Sequence, residues 1–178
     1  MITAFIIGCE IGFWALVLAG LACRYLLRLK TLGAVLLIGT PIVDLILIIA
    51  TVMDLRNGAT ATAIHGLSAI YIGVSVAYGH RMICWADARF AHRFAGGAKP
   101  SPKPKHGAEH AAYERRMWVL HLLAWAIGCL VLVGMIWFVG DESRTNSLRD
   151  TIQFWSYIVG IDFLYSFSFS LWPRKAKA

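Results

Sequence analysis

Charge is scarce in this sequence: Asp, Glu, Lys and Arg make up 15% of its 178 residues, against roughly 25% in an ordinary soluble domain. Hydrophobic residues reach 58% and the mean hydropathy is +0.64, so the bilayer is the solvent to reason with. Cysteine is sparse as well. Cys9, Cys23, Cys84 and Cys129 form no C-x-x-C and have no second ligand at metal spacing, which leaves no disulfide or zinc framework and makes them small packing residues. Acidic residues number 10 against 17 basic ones, for a net charge of +7. The basic residues flank apolar runs and form no stripe interleaved with stacking aromatics, which excludes nucleic acid and points to anionic lipid headgroups as the partner.

What the sequence does contain is long, continuous apolar runs rather than short alternating strands. In hydrocarbon only helices and closed barrels satisfy every backbone group, and these runs are helical, so the fold is expected to be all-α. Five spans are expected, over about 2–23, 32–53, 59–82, 117–139 and 151–172, in a single membrane domain covering 1–178. Each is close to the roughly 20 residues needed to cross a bilayer. The first run is expected to be a retained span rather than a signal peptide. No basic segment precedes it, Glu10 interrupts it, and Gly20 stands where a lipoprotein cleavage motif usually has Leu.

Between the third and fourth spans, about 83–116, lies a basic loop. Its first part, with Trp85, Phe90 and Phe94 among Arg89, His92 and Arg93, is expected to continue as helix along the headgroups until Gly96-Gly97 stops it. Lys99-Pro-Ser-Pro-Lys-Pro-Lys105 follows, expected to be extended and mobile because alternating prolines cannot propagate a helix. A helix restarts near Glu109, and Asp141–Asp150 reads as a polar turn. Fourteen Lys and Arg lie in the first and third connections and the tail, against Arg56, Arg144 and Arg149 in the other two loops. The positive-inside rule then puts the N-terminus outside, the C-terminus inside and the Pro-rich loop in the cytoplasm.

The third span is the centre of the pattern. His65, Ser68, Tyr71, Ser75 and Tyr78 share one helical arc, beside a small-residue seam of Gly66, Ala69, Gly73 and Ala77. Such a seam permits close helix approach, as does the Gly8/Gly12 pair around Glu10 on the first span. Four ionisable residues, Glu10, Asp44, His65 and Asp162, fall well inside spans, at depths counted as roughly 9 to 17 Å from the outer ends. Charged groups in lipid are costly enough to face the interior and find partners. They are therefore expected to form one polar layer in the outer half of the bilayer, together with Ser68, Tyr71, Ser75 and Tyr165, with Asp44 and His65 in hydrogen-bonding or water-bridged reach.

Two readings of that layer stand side by side. It is a site for a proton or small cation, or it is a structural network in which carboxyls, His65 and hydroxyls satisfy one another. Two carboxylates and a histidine match a metal facial triad in type, but they lie on separate helices without a local motif; no cofactor is expected. His80 and His121 are expected at the inner interface, and His92, His106 and His110 in solvent. Trp85, Trp118, Trp137 and Trp172 are expected as interface anchors.

The run Gly39–Gly97, with GTPIVDL, ATAIHGLSAIYIGVSVAYGH and CWADARFAHRFAGG, resembles a family of small uncharacterised bacterial integral membrane proteins. The resemblance implies a bacterial plasma-membrane location and carries no activity. Three functions remain open: passage of a small cation or proton, with an oligomer expected because five helices enclose little volume; an accessory subunit of a larger membrane complex; or an enzyme using His65 with Asp44 or Glu10 as acid and base. Without a nucleophile in a recognisable motif, the enzyme is the least favoured.

Overall fold

The computed structural model describes residues 2–94 and 96–172, with side chains except at positions 2–7, 9, 10, 38, 41, 44, 64, 87, 90, 91 and 94. The fold is all-α: α1 (Ile2–Tyr25), α2 (Lys30–Arg56), α3 (Ala63–Phe94), α4 (Gly107–Val139) and α5 (Glu142–Leu171). Each helix carries one of the five apolar runs. Among the described residues one helix, Gly107–Val139, is long and apolar enough by length and composition to cross a bilayer. The polar residues threaded through α3 and α5 dilute their apolarity, yet large apolar side chains face outward on every helix: Leu18, Val35, Val76, Leu130, Ile161 and Leu164 are all exposed. A surface of this kind belongs against lipid or another protein.

Asp141–Asp150 is not a polar turn. The connection from α4 to α5 is two residues long: Gly140 takes a left-handed conformation (φ 67°) and Asp141 accepts from the Ser143 and Arg144 N–H groups as the N-cap of α5. A glycine that ends one helix and an aspartate that starts the next explain the tight join. Hydrogen bonds from Ser143 and then Arg144 hold the Asp141 carboxyl down at about 2. Arg144 donates its Nε–H to Asp141 Oδ2 at 2.8 Å and an Nη1–H to the Leu55 carbonyl at 2.9 Å, while the Ala61 N–H donates to the Arg144 carbonyl at 2.8 Å. One arginine therefore gives the Leu55 carbonyl, which also accepts from the Gly58 N–H at 3.3 Å, a second donor and ties the α2–α3 turn to the start of α5.

The core lies where α3, α4 and α5 meet. Ala69, Leu132, Met135 and Leu148 form one buried cluster with Leu55 of α2, and Ala124, Trp155 and Val159 form another. Small residues bring the backbones together. A Cβ on Gly66 would strike Thr151, one on Gly73 would strike the Ala124 carbonyl, and one on Gly128 would strike the Trp155 ring. α1 packs on α2 through a second close approach, where a Cβ on Gly33 would come within 2.7 Å of the Gly20 carbonyl and 2.6 Å of Arg24 Cβ. Gly8 and Gly12, expected at a helix contact, have no atom within 4 Å of their Cβ positions. α1 packs most closely on α2 through its C-terminal half, while its Phe13 ring lies 5.9 Å from that of Tyr71 on α3.

The Pro-rich segment is extended, but it is docked. His110, expected in solvent, is buried; its Nδ1–H donates to the Pro104 carbonyl at 3.0 Å and its ring packs on Phe169 at 4.7 Å. Lys103 lies over the Tyr113 ring. The basic tail from Pro173 lies outside the described residues.

The seam yields a direct expectation. Gly73→Ala should destabilise the folded protein by about 1–3 kcal/mol through overpacking against the Ala124 carbonyl, whereas Gly8→Ala should be silent. Thermal unfolding of both variants in the same detergent checks this, and equal midpoints would contradict the seam.

Candidate functional site

The antiparallel α4–α5 hairpin sets the site. Because the link is two residues, positions equally distant from it face each other along the two helices, and polar groups recur in that register. The Trp125 Nε1–H donates to Ser156 Oγ at 3.0 Å, and the Trp118 Nε1–H donates to the Val159 carbonyl at 3.2 Å. Between these, at the end of the hairpin remote from Gly140, His121 of α4 meets Asp162 of α5.

The contact between His121 Nδ1 and Asp162 Oδ2 is 2.7 Å. The Trp155 Nε1–H donates to His121 Nε2 at 3.2 Å. An indole nitrogen can only donate, so Nε2 is the acceptor and the imidazole proton resides on Nδ1, shared with the carboxylate. The buried Ser166 hydroxyl donates to the other carboxylate oxygen at 3.4 Å. Both ring nitrogens and both carboxylate oxygens thus have partners. α3 closes the third side: the Tyr78 hydroxyl donates to the Met117 carbonyl at 3.0 Å, one turn below His121. The His121 and Asp162 side chains stay 21% and 33% exposed, so the pair is not sealed between the helices. Chemically, this is a station that holds one proton between an imidazole and a carboxylate.

The polar layer expected from sequence is divided. Gly66 abuts Thr151, so His65 lies level with the first turns of α5, and Asp162 is eleven residues further on, about 16 Å along the helix. Counting depth from Thr151 placed Asp162 too close to that end, because α5 starts nine residues earlier, at Glu142. His65 and Asp162 therefore belong to different ends of the bundle. Tyr165, expected beside Asp162, is exposed and packs its ring edge-on to Phe169 at 5.0 Å. Ser68 donates to the His65 carbonyl within its own helix at 2.8 Å. The Tyr71 ring lies 5.9 Å from that of Phe13 on α1, and Ser75 is half-buried. The side chains of Glu10 and Asp44 lie outside the described residues, and with them the expected Asp44–His65 contact. Among the described residues no group of three His, Cys, Asp or Glu could hold a metal ion.

His65 has a local task. Its Nδ1 accepts from the Thr62 N–H at 2.8 Å, while its own N–H donates to the Thr62 carbonyl at 3.1 Å. With Thr62 at the cap position this is the half of a capping box in which the third helical residue reaches back to the cap N–H, the imidazole standing where Glu or Gln is usual, with Thr62 Oγ1 3.1 Å from the same nitrogen. The proton then sits on Nε2, which is buried without a partner among the described residues, as is Thr51 Oγ1 on α2.

Sequence reasoning missed the roles of His121, which it placed at the inner interface, and of Trp155, though the sequence does put Ser166 on the same helical face as Asp162. A signal for the first was present. Gly140-Asp141 reads as a helix stop followed by a cap, and folding the chain there sets His121 opposite Asp162. The role of Trp155 had no comparable signal.

A capping role for His65 makes a graded series. His65→Gln, which keeps an acceptor at the third helical position, should cost little, whereas His65→Leu should cost about 1 kcal/mol. Thermal unfolding in detergent ranks them; Gln falling as far as Leu would contradict the cap.

No family model and no solved structure matches the chain. Over 173 residues the chain is 46% identical to the uncharacterized membrane protein YmcC of Bacillus subtilis (strain 168), a match that covers 97% of this chain and 93% of the relative.

Proposed function

We propose, from the premise that this chain belongs to the family of the uncharacterized membrane protein YmcC, that it crosses a bacterial plasma membrane five times and takes up and passes a proton, or a comparably small cation, through the His121–Asp162 pair. In this reading the N-terminus is outside and the C-terminus inside, following the excess of Lys and Arg in the first and third connections. The pair then lies in the inner half of the bilayer. Arg81, Arg89, Arg93, Lys99, Lys103 and Lys105 face the anionic headgroups of the cytoplasmic leaflet.

The observation that carries the proposal is the 2.7 Å contact between His121 and Asp162 on facing helices, with both side chains partly exposed. Ionisable residues within membrane helices are costly, and they mark ion or proton paths more often than they mark packing. With both ring nitrogens of His121 engaged, the open acceptor sites are the remaining lone pairs of the Asp162 carboxylate, where a proton can be taken up and released while the contact to His121 is kept.

A second reading is an accessory subunit of a larger complex or a homo-oligomer. It is favoured by the exposed apolar face of α1 carried by Ile11, Trp14 and Leu18. The enzyme reading centred on His65 loses support, because its Nδ1 is committed to the Thr62 N–H.

Purified protein in liposomes with a trapped pH dye and an imposed potassium diffusion potential tests the first reading. The wild type should acidify or alkalinise the lumen well beyond protein-free vesicles, and Asp162→Asn, folded and inserted equally, should abolish that flux. Wild-type flux at the level of empty vesicles, or undiminished flux in Asp162→Asn, would overturn it.

A further inference from the structure

We propose that the groove between α2 and α4 is a site for a single phospholipid, with an acyl chain lying along the groove and the phosphodiester on Arg56. α2 and α4 run parallel with α3 packed against both and touch each other little. Between them lies an open groove of about 560 Å³, lined by Ile49, Val52 and Met53 on one side and Val131, Gly134 and Phe138 on the other. From Ile48 to Arg56 the lining runs about 12 Å along the helix axis, so the groove follows the direction of the two helices. Its walls carry no polar side chain until its end, where Arg56, the last residue of α2, is reached.

Arg56 determines what the groove fits. Its guanidinium rests over the Phe138 ring, 4.9 Å from the centroid, and so is held at the groove end rather than free to leave it. Among the described residues no carboxylate pairs with it. Asp54, two positions back, lies on a different face of the helix. Arg144 stands at the same end of α2, but its guanidinium is engaged by Asp141 and the Leu55 carbonyl, and that last bond also reduces the negative character of the helix terminus. An apolar trough closed at one end by a guanidinium that no described carboxylate neutralises complements a molecule with a hydrocarbon chain and an anionic head. A planar guanidinium is the side chain best suited to two phosphate oxygens. A neutral lipid would fill the trough and leave Arg56 unanswered. Inorganic phosphate would satisfy Arg56 and leave the trough empty.

The site lies at the opposite end of the bundle from His121 and Asp162, so it stands independently of the proton reading. Gly134 supplies a clean way to block it: a Cβ there meets nothing within 4 Å, so Gly134→Leu fills the groove without forcing the backbone. Arg56→Gln removes the head contact alone, at an exposed position.

The test is native mass spectrometry and thermal shift on delipidated full-length protein titrated with phosphatidylglycerol, diacylglycerol or inorganic phosphate. The wild type should bind one phosphatidylglycerol, about tenfold more tightly than diacylglycerol, as a charge-assisted hydrogen bond implies. Arg56→Gln should erase that preference, and Gly134→Leu should abolish binding of both lipids. Equal affinity for diacylglycerol in the wild type, unchanged phosphatidylglycerol binding in Gly134→Leu, or a thermal shift from phosphate alone would each overturn the proposal.

Discussion

Gly140 turns left-handed directly before Asp141 caps α5, so α4 ends and α5 begins within two residues and each must run back along the other. Nothing longer than that link is present to absorb a shift of register. The facing pairs Trp125–Ser156 and His121–Asp162 follow from this join, as does the seat of Trp155 against Gly128. Arg144, held by Asp141, carries the same constraint across to α2 through the Leu55 carbonyl. The turn thus positions both the polar station at one end of the bundle and the α2–α3 connection at the other.

In lipid there is little hydrophobic drive to bring helices together, so packing of small residues and hydrogen bonds between helices must do it. Both devices occur along the same lines of contact. Gly66, Gly73 and Gly128 let α3, α4 and α5 approach backbone to backbone, and this proximity lets Tyr78 reach the Met117 carbonyl and Trp118 reach the Val159 carbonyl. These polar groups are then satisfied rather than stranded, which keeps a carboxylate and three indoles tolerable within apolar helices. α1 is joined to α2 through Gly20 and Gly33 and reaches α3 through Phe13 and Tyr71.

Much of the helical pattern could be read from the sequence because long apolar runs with few breakers leave little choice of secondary structure. The Gly66–Gly73 seam was legible too, since small residues at helical spacing have a direct steric meaning. What failed was depth. Asn146, Arg149 and Asp150 look like loop residues by polarity, but the Asp141 cap starts the helix ahead of them, and that nine-residue error moved Asp162 away from its partner. Histidines were hard for another reason. Composition does not tell whether an imidazole answers a backbone N–H, as His65 does, a loop carbonyl, as His110 does, or a carboxylate, as His121 does.

The account stands or falls on His121 and Asp162 sharing one proton across the hairpin. Nitrogen-15 NMR of imidazole-labelled protein in bilayers measures this directly. The account predicts a neutral His121 protonated on Nδ1, its resonance shifted by Asp162→Asn. Protonation on Nε2, or a His121 signal indifferent to Asp162→Asn, would contradict it.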